Sequence, residues 1–141
     1  MNAIRIILLF LFSLASFCLP TIQAQTTDSE SAFNSTSIGF IIYSNDVETV
    51  WNALRLANFS HSEGDTVCVF LLGKGVEVET LTENNSDIKE QVDKLLDSGV
   101  AILGCGTCLQ SRNSGEPKVC EFSSMRDLYV LVRKNKIVLT F

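Results

Sequence analysis

"IGFIIYSNDVETVWNALRLA" (38–57) is the stretch that decides the fold. It opens on an isoleucine-rich apolar run, 38–43, too short for a helix and apolar on both faces, which predicts a buried strand. "SNDVE" follows, with Asn45 placed to cap a helix and Glu48 three residues later placed to close a capping box. Val47, Val50, Trp51, Leu54 and Ala57 then recur at helical spacing and define one apolar face. "SEGD" (62–65) ends the unit at Gly64.

The same unit repeats outward. "TVCVFLL" (66–72) reads as a second continuous strand, followed by "GKG". After a polar stretch ending in "ENNSD", Ile88, Val92, Leu95 and Leu96 mark a helix face, with Gly99 at its stop. "VAILG" (100–104) is a third strand. "SSM" starts a last helix, with Ser124 and Asp127 three apart and Met125, Leu128, Tyr129 and Val132 expected inward. "KIVLTF" (136–141) is a fourth strand. Strands apolar on both faces alternating with helices predict an α/β fold, a mostly parallel sheet in a three-layer α/β/α domain, with right-handed crossovers. Chemistry in such sheets gathers at the carboxyl ends of strands. No G-x-G-x-x-G or P-loop follows any of these strands, so nucleotide binding has no local support.

Ahead of this domain, "MNAIRIILLFLFSLASFCLPTIQA" (1–24) has the build of a secretory signal: Arg5, an apolar run from Ile6 to Leu14, Pro20, and Ala24 at the cut. The run is shorter than the roughly 20 residues that span a bilayer. Lipidation at Cys18 is disfavoured by bulky Phe17 before it. Cleavage leaves a flexible Ser- and Thr-rich leader, 25–37, and the domain 38–141. The expected address is outside the cytoplasm, in a bacterial periplasm, with no membrane attachment after cleavage. The whole chain carries a net charge of −5, and losing Arg5 makes it more acidic still. Neither nucleic acid nor an anionic membrane is an electrostatic partner for such a domain.

The cysteines carry the chemistry. Cys68 lies inside the second strand, where cysteine behaves as a small hydrophobe. "GCGTCLQSR" (104–112) sets Cys105 and Cys108 two residues apart, just past the third strand. Three readings stand. A closed metal site needs four ligands, and Cys68, Cys120 and the sole histidine, His61, have no knuckle-like pairing, so no metal and no cofactor are assigned. A C-x-x-C disulfide suits an oxidising compartment, as a structural bond or an exchangeable one. The third reading is a nucleophilic thiolate. Gly104 and Gly106 flank Cys105 and allow a sharp turn and close approach of a ligand, and a short helix from "TCLQSR" would lower the pKa of Cys105. Arg112 would add positive charge if its loop folds back. Cys120, on the connection before the last helix, reads equally as core, disulfide partner or second thiol. Lys74 reads as a solvated loop lysine, Trp51 as core or subunit contact, and the acidic run Glu77, Glu79 and Glu83 as solvated surface.

Taken in order, "IGFIIYSNDVETVWNALRLA", "GDTVCVFLLGKGVEVE", "LLDSGVAILGCGTCLQSR" and "VCEFSSMRDLY…KIVLTF" resemble the DsrE/DsrF/TusD-like family of sulfur-relay proteins, from about Ile38 to Phe141. The resemblance implies a three-layer α/β/α domain assembled into trimers or hexamers. It implies sulfane sulfur held as a persulfide on a cysteine, received from one partner and passed to another. Cys105 matches that cysteine by position, and Cys108 matches a second one found in the "CGTC" subset. The best-known members work in the cytoplasm, so an exported member would draw its sulfur donor and acceptor from other proteins or from small thiols. Bottom-up chemistry adds a resolving role: Cys108 attacking a Cys105 persulfide would release sulfide and leave a disulfide. The reading from another class is a non-catalytic oligomeric binding module holding a structural or redox-active Cys105–Cys108 disulfide.

Overall fold

A computed structural model describes residues 34–112 and 115–141. The signal segment and most of the leader lie outside the described residues. Strand β1 (Ser37–Ile42) leads to helix α1 (Val47–Ser62) and β2 (Thr66–Leu71). A 3₁₀ turn (Gly73–Glu77), α2 (Val78–Asn84) and α3 (Ser86–Asp97) connect to β3 (Ala101–Cys105). Then come α4 (Gly106–Ser111), β4 (Glu121–Ser123), α5 (Met125–Lys134) and β5 (Ile137–Thr140).

The five strands form one sheet in the order β4-β3-β2-β1-β5, parallel at every pairing. The chain steps outward from β1 to β4, and α5 then carries it back across the sheet to β5. Parallel strands need both faces covered, which is why their sequences are apolar throughout. Phe40, Ile42, Val69, Phe70 and Leu71 are fully buried in the sheet. Ala53, Leu54 and Ala57 of α1 and Ile88, Val92 and Leu95 of α3 join the same core.

Local chemistry departs from the sequence reading in several places. The cap of α1 is Asp46, whose carboxylate accepts from the Thr49 N–H at 2.9 Å. Asn45 instead donates to Glu77 at 2.7 Å, tying the carboxyl end of β1 to the 3₁₀ turn. Val47 and Leu96 are exposed, not inward. The polar stretch after β2 holds a helix, α2, whose buried Val78 and Thr82 were too few to show a period. The leader's end already belongs to the sheet: the Thr36 N–H donates to Asp65 at 2.7 Å, and β1 begins at Ser37.

The largest correction concerns α5. Its capping box forms, with the Ser124 N–H and Oγ both donating to Asp127, at 2.8 and 2.7 Å. The helix is rolled, however, so that Leu131 faces the sheet, seated where Gly39 of β1 has no side chain. Leu128 is only partly buried, and Met125, Tyr129 and Val132 are exposed. With Phe122 they leave an apolar strip uncovered in the single chain. Among the described residues, no helix is long and apolar enough to cross a membrane.

Candidate functional site: a thiol pair at the carboxyl end of strand β3

Cys105 is both the last residue of β3 and the cap of α4. A strand therefore turns directly into a helix at the sulfur. Its Sγ accepts from the Cys108 N–H at 3.4 Å. The Cys108 sulfur lies against the same atom at 2.6 Å, between the length of a disulfide and the contact distance of two free thiols. Cys108 Sγ in turn accepts from the Gly73 N–H at 3.3 Å. Gly73 reaches that position with a φ of 56°, a left-handed conformation that favours glycine. β2 and β3 are neighbours, so the loop after one and the helix after the other meet over their shared carboxyl end.

The structure brings Cys105 and Cys108 together but treats them unequally. Cys105 is buried at 6% exposure, whereas Cys108 is half-buried. Burial pushes the Cys105 thiol above its ordinary value, and the Cys108 thiol beside it pushes the same way. The Cys108 and Thr107 amides pull downward and are outweighed. The expected lowering by the helix start is thus corrected: desolvation disfavours the charged sulfur more than those dipoles favour it.

The spaces beside Gly104 and Gly106 are filled by protein, not open to a ligand. A side chain at Gly104 would collide with Cys120 Sγ and crowd Leu109, and one at Gly106 would press on Phe122. Cys120 thus packs against the strand one residue before Cys105. Its sulfur donates to Glu79 at 3.4 Å. The same carboxylate accepts from the backbone N–H groups of Lys118, Val119 and Cys120 at 2.9, 3.0 and 3.2 Å. Burial first, and then Glu79, push the Cys120 thiol up to about 12. Glu79 is therefore the anchor of the connection into β4.

Arg112 folds back, but onto oxygen. Its guanidinium pairs with Glu77 at 3.0 Å and donates to the Cys108 carbonyl at 3.3 Å. Glu77, held also by Asn45, sits below the usual carboxylate range, chiefly because of Arg112. The acidic run is thus largely engaged, with Glu83 paired to Lys118 at 3.0 Å. A groove of about 540 Å³ runs along Glu77, Glu79, Glu83, Arg112, Glu116 and Lys118, and neither cysteine of the pair lines it. Among the described residues, no cluster of three His, Cys, Asp or Glu side chains is arranged to hold a metal. Cys68 is partly buried within β2, its thiol raised by desolvation. Sequence reasoning missed Gly73 and Glu79. The first was findable, since "GKG" directly follows a strand adjacent to β3; nothing in the spacing pointed to Glu79.

A parallel α/β domain with paired thiols where one strand becomes a helix is the class that fold and site define. The family comparison narrows it: the model of the DsrE/DsrF-like family matches residues 36–141, and the chain belongs to that family. It is 31% identical over 100 residues to the uncharacterized protein MJ0989 of Methanocaldococcus jannaschii, covering 67% of this chain and 88% of that one. Against the uncharacterized protein MK0008 of Methanopyrus kandleri the identity is 27%, covering 67% and 83%. The fold is that of the ychN protein from E. coli, with a TM-score of 0.66 at 20% identity, covering 77% of this chain and all of that one. A conserved protein of unknown function from Bacteroides thetaiotaomicron, BT1422, aligns with a TM-score of 0.60 at 18% identity, covering 75% and 95%.

Proposed function

We propose that this protein is an exported sulfane-sulfur carrier of the DsrE/DsrF-like family, holding sulfur as a persulfide on Cys105 with Cys108 as its partner thiol. The observation that carries the reading is the pair itself: two cysteine sulfurs brought against each other at a strand's carboxyl end, each accepting a backbone N–H. Persulfide transfer between thiols is redox-neutral and needs a nucleophilic sulfur, a thiol leaving group and access, not elaborate acid–base machinery. Donor and acceptor are exported proteins or small thiols, and the signal-like segment 1–24 is the reason to seek them in a bacterial periplasm. The apolar strip of Phe122, Met125, Tyr129 and Val132 supports self-association into a trimer or hexamer.

The test is to incubate the reduced protein with inorganic polysulfide, trap with iodoacetamide and map each cysteine by peptide mass. Added sulfur confined to the Cys105–Cys108 segment is expected. Sulfur on Cys68 or Cys120 alone, or on none, sinks the reading. The close approach of the two sulfurs also favours a rival, a non-catalytic oligomeric module with a Cys105–Cys108 disulfide. Alkylation of folded, unreduced protein separates them, because a permanently bonded pair takes no label.

A further inference from the structure

We infer that Cys108, not Cys105, is the thiol that meets the sulfur donor, and that Cys105 receives its sulfur only through Cys108. The inference rests on the carrier reading and assigns the order of events within it. Cys105 is 6% exposed, and its sulfur is flanked by the Cys108 thiol at 2.6 Å and the Cys108 N–H at 3.4 Å. Cys108 is half-buried, so its sulfur is the reachable one. It also has a donor of its own, the Gly73 N–H at 3.3 Å, positioned to stabilise negative charge arriving on that atom.

The steps balance without any outside oxidant or reductant. Cys108, having lost its proton, attacks the outer sulfur of a donor persulfide, R–S–SH. The donor S–S bond breaks, a Cys108–S–S bond forms, and R–S⁻ leaves with the electron pair. The Cys105 sulfur then attacks the outer sulfur of the Cys108 persulfide. A Cys105–S–S bond forms, the Cys108–S–S bond breaks, and the Cys105 proton passes to the Cys108 sulfur, restoring its thiol. The carried sulfur ends on the sheltered atom, away from solvent thiols, with Cys108 again guarding the way out.

Two measurements test the order. In reduced, folded wild-type protein under limiting iodoacetamide, Cys108 should be alkylated about tenfold faster than Cys105. In a short polysulfide pulse, Cys108→Ser should load Cys105 about tenfold more slowly than wild type loads the pair. Cys105 alkylating first, or Cys108→Ser loading as fast as wild type, overturns the order while leaving the carrier function standing. Wild type that takes up no sulfur at all removes the carrier reading, and the order with it. The alkylation measurement needs no variant, so a misfolded serine mutant leaves the order testable.

Discussion

Two sulfur sites flank the end of β3, and they are wired in opposite senses. At the Cys105–Cys108 pair, each sulfur accepts a backbone N–H. At Cys120, the sulfur donates to a carboxylate that is itself held by three backbone N–H groups. A sulfur that accepts is prepared for negative charge; a sulfur that donates to a carboxylate is locked as a neutral thiol. Burial does not separate them, since Cys105 and Cys120 are 6% and 8% exposed. The hydrogen-bond sense does: amides favour charge on the pair's sulfurs, although burial outweighs them at Cys105, whereas Glu79 adds to burial in keeping the Cys120 thiol neutral.

The sharpest way to break that contrast is to measure thiol reactivity in the native, reduced protein. Cys120 should be alkylated at least about a hundredfold more slowly than Cys108 near neutral pH. Peptide mapping after timed iodoacetamide exposure reads both sites at once, and comparable rates would erase the distinction. The same thiol has a signature in stability. Its folded value, about 12, lies above the ordinary 9.0, so the folded chain holds this proton more tightly than the unfolded chain. The resulting stabilisation is fully present below about pH 9 and is lost as pH rises towards 12. Urea midpoints across that range should fall less steeply in Cys120→Ala than in wild type.

Next in size is the anchor. Glu79→Ala leaves the N–H groups of Lys118, Val119 and Cys120 without their shared acceptor. The Val119 and Cys120 groups are part-buried and each costs on the order of 1 kcal/mol when deprived, whereas water replaces the carboxylate at exposed Lys118, so a loss of about 2 kcal/mol is expected in urea unfolding. Among the described residues β4 pairs only with β3, beside Gly104 and Cys105. Freeing its approach should therefore also speed Cys120 alkylation. A variant as stable as wild type with Cys120 still shielded would mean that packing against Gly104, not the carboxylate, locks that thiol.

What the sequence disclosed follows from how many residues share each signal. Continuous apolar runs announced β1, β2, β3 and β5, because a parallel strand buries both faces over several residues. β4 spans only Glu121–Ser123 and is an edge strand, too short and too polar to register. The face of α5 was recognised by its period, but period does not say which way a helix is rolled. That depended on Gly39, far away in sequence, leaving room for Leu131. The cysteine pair was legible because strand, turn and helix are contiguous there. Its unequal burial and its donor from Gly73 were not, since they arise from the meeting of two strand ends. Glu79 was illegible for the same reason: its partners are about 40 positions away along the chain and were read as a plain connection.

The smallest effect concerns Arg112, which lies close to the pair yet contacts no sulfur. Its guanidinium bridges Glu77 and the Cys108 carbonyl, both about 3 Å away. Both side chains are about a third exposed, 29% and 36%, so solvent screens the ion pair and its worth is about 0.5 kcal/mol. Glu77 is held below its ordinary 4.5, so its contribution is present above that pH and is lost as pH falls through the lower folded value. Arg112→Gln should therefore lower the urea midpoint slightly at neutral pH, and the difference from wild type should shrink in acid. A loss several times larger, persisting in acid, would mean that the bond to the Cys108 carbonyl holds α4 in place. Arg112 would then be positioning the cysteine pair through its backbone, and the division between a site held by amides and one held by a carboxylate would need a third member.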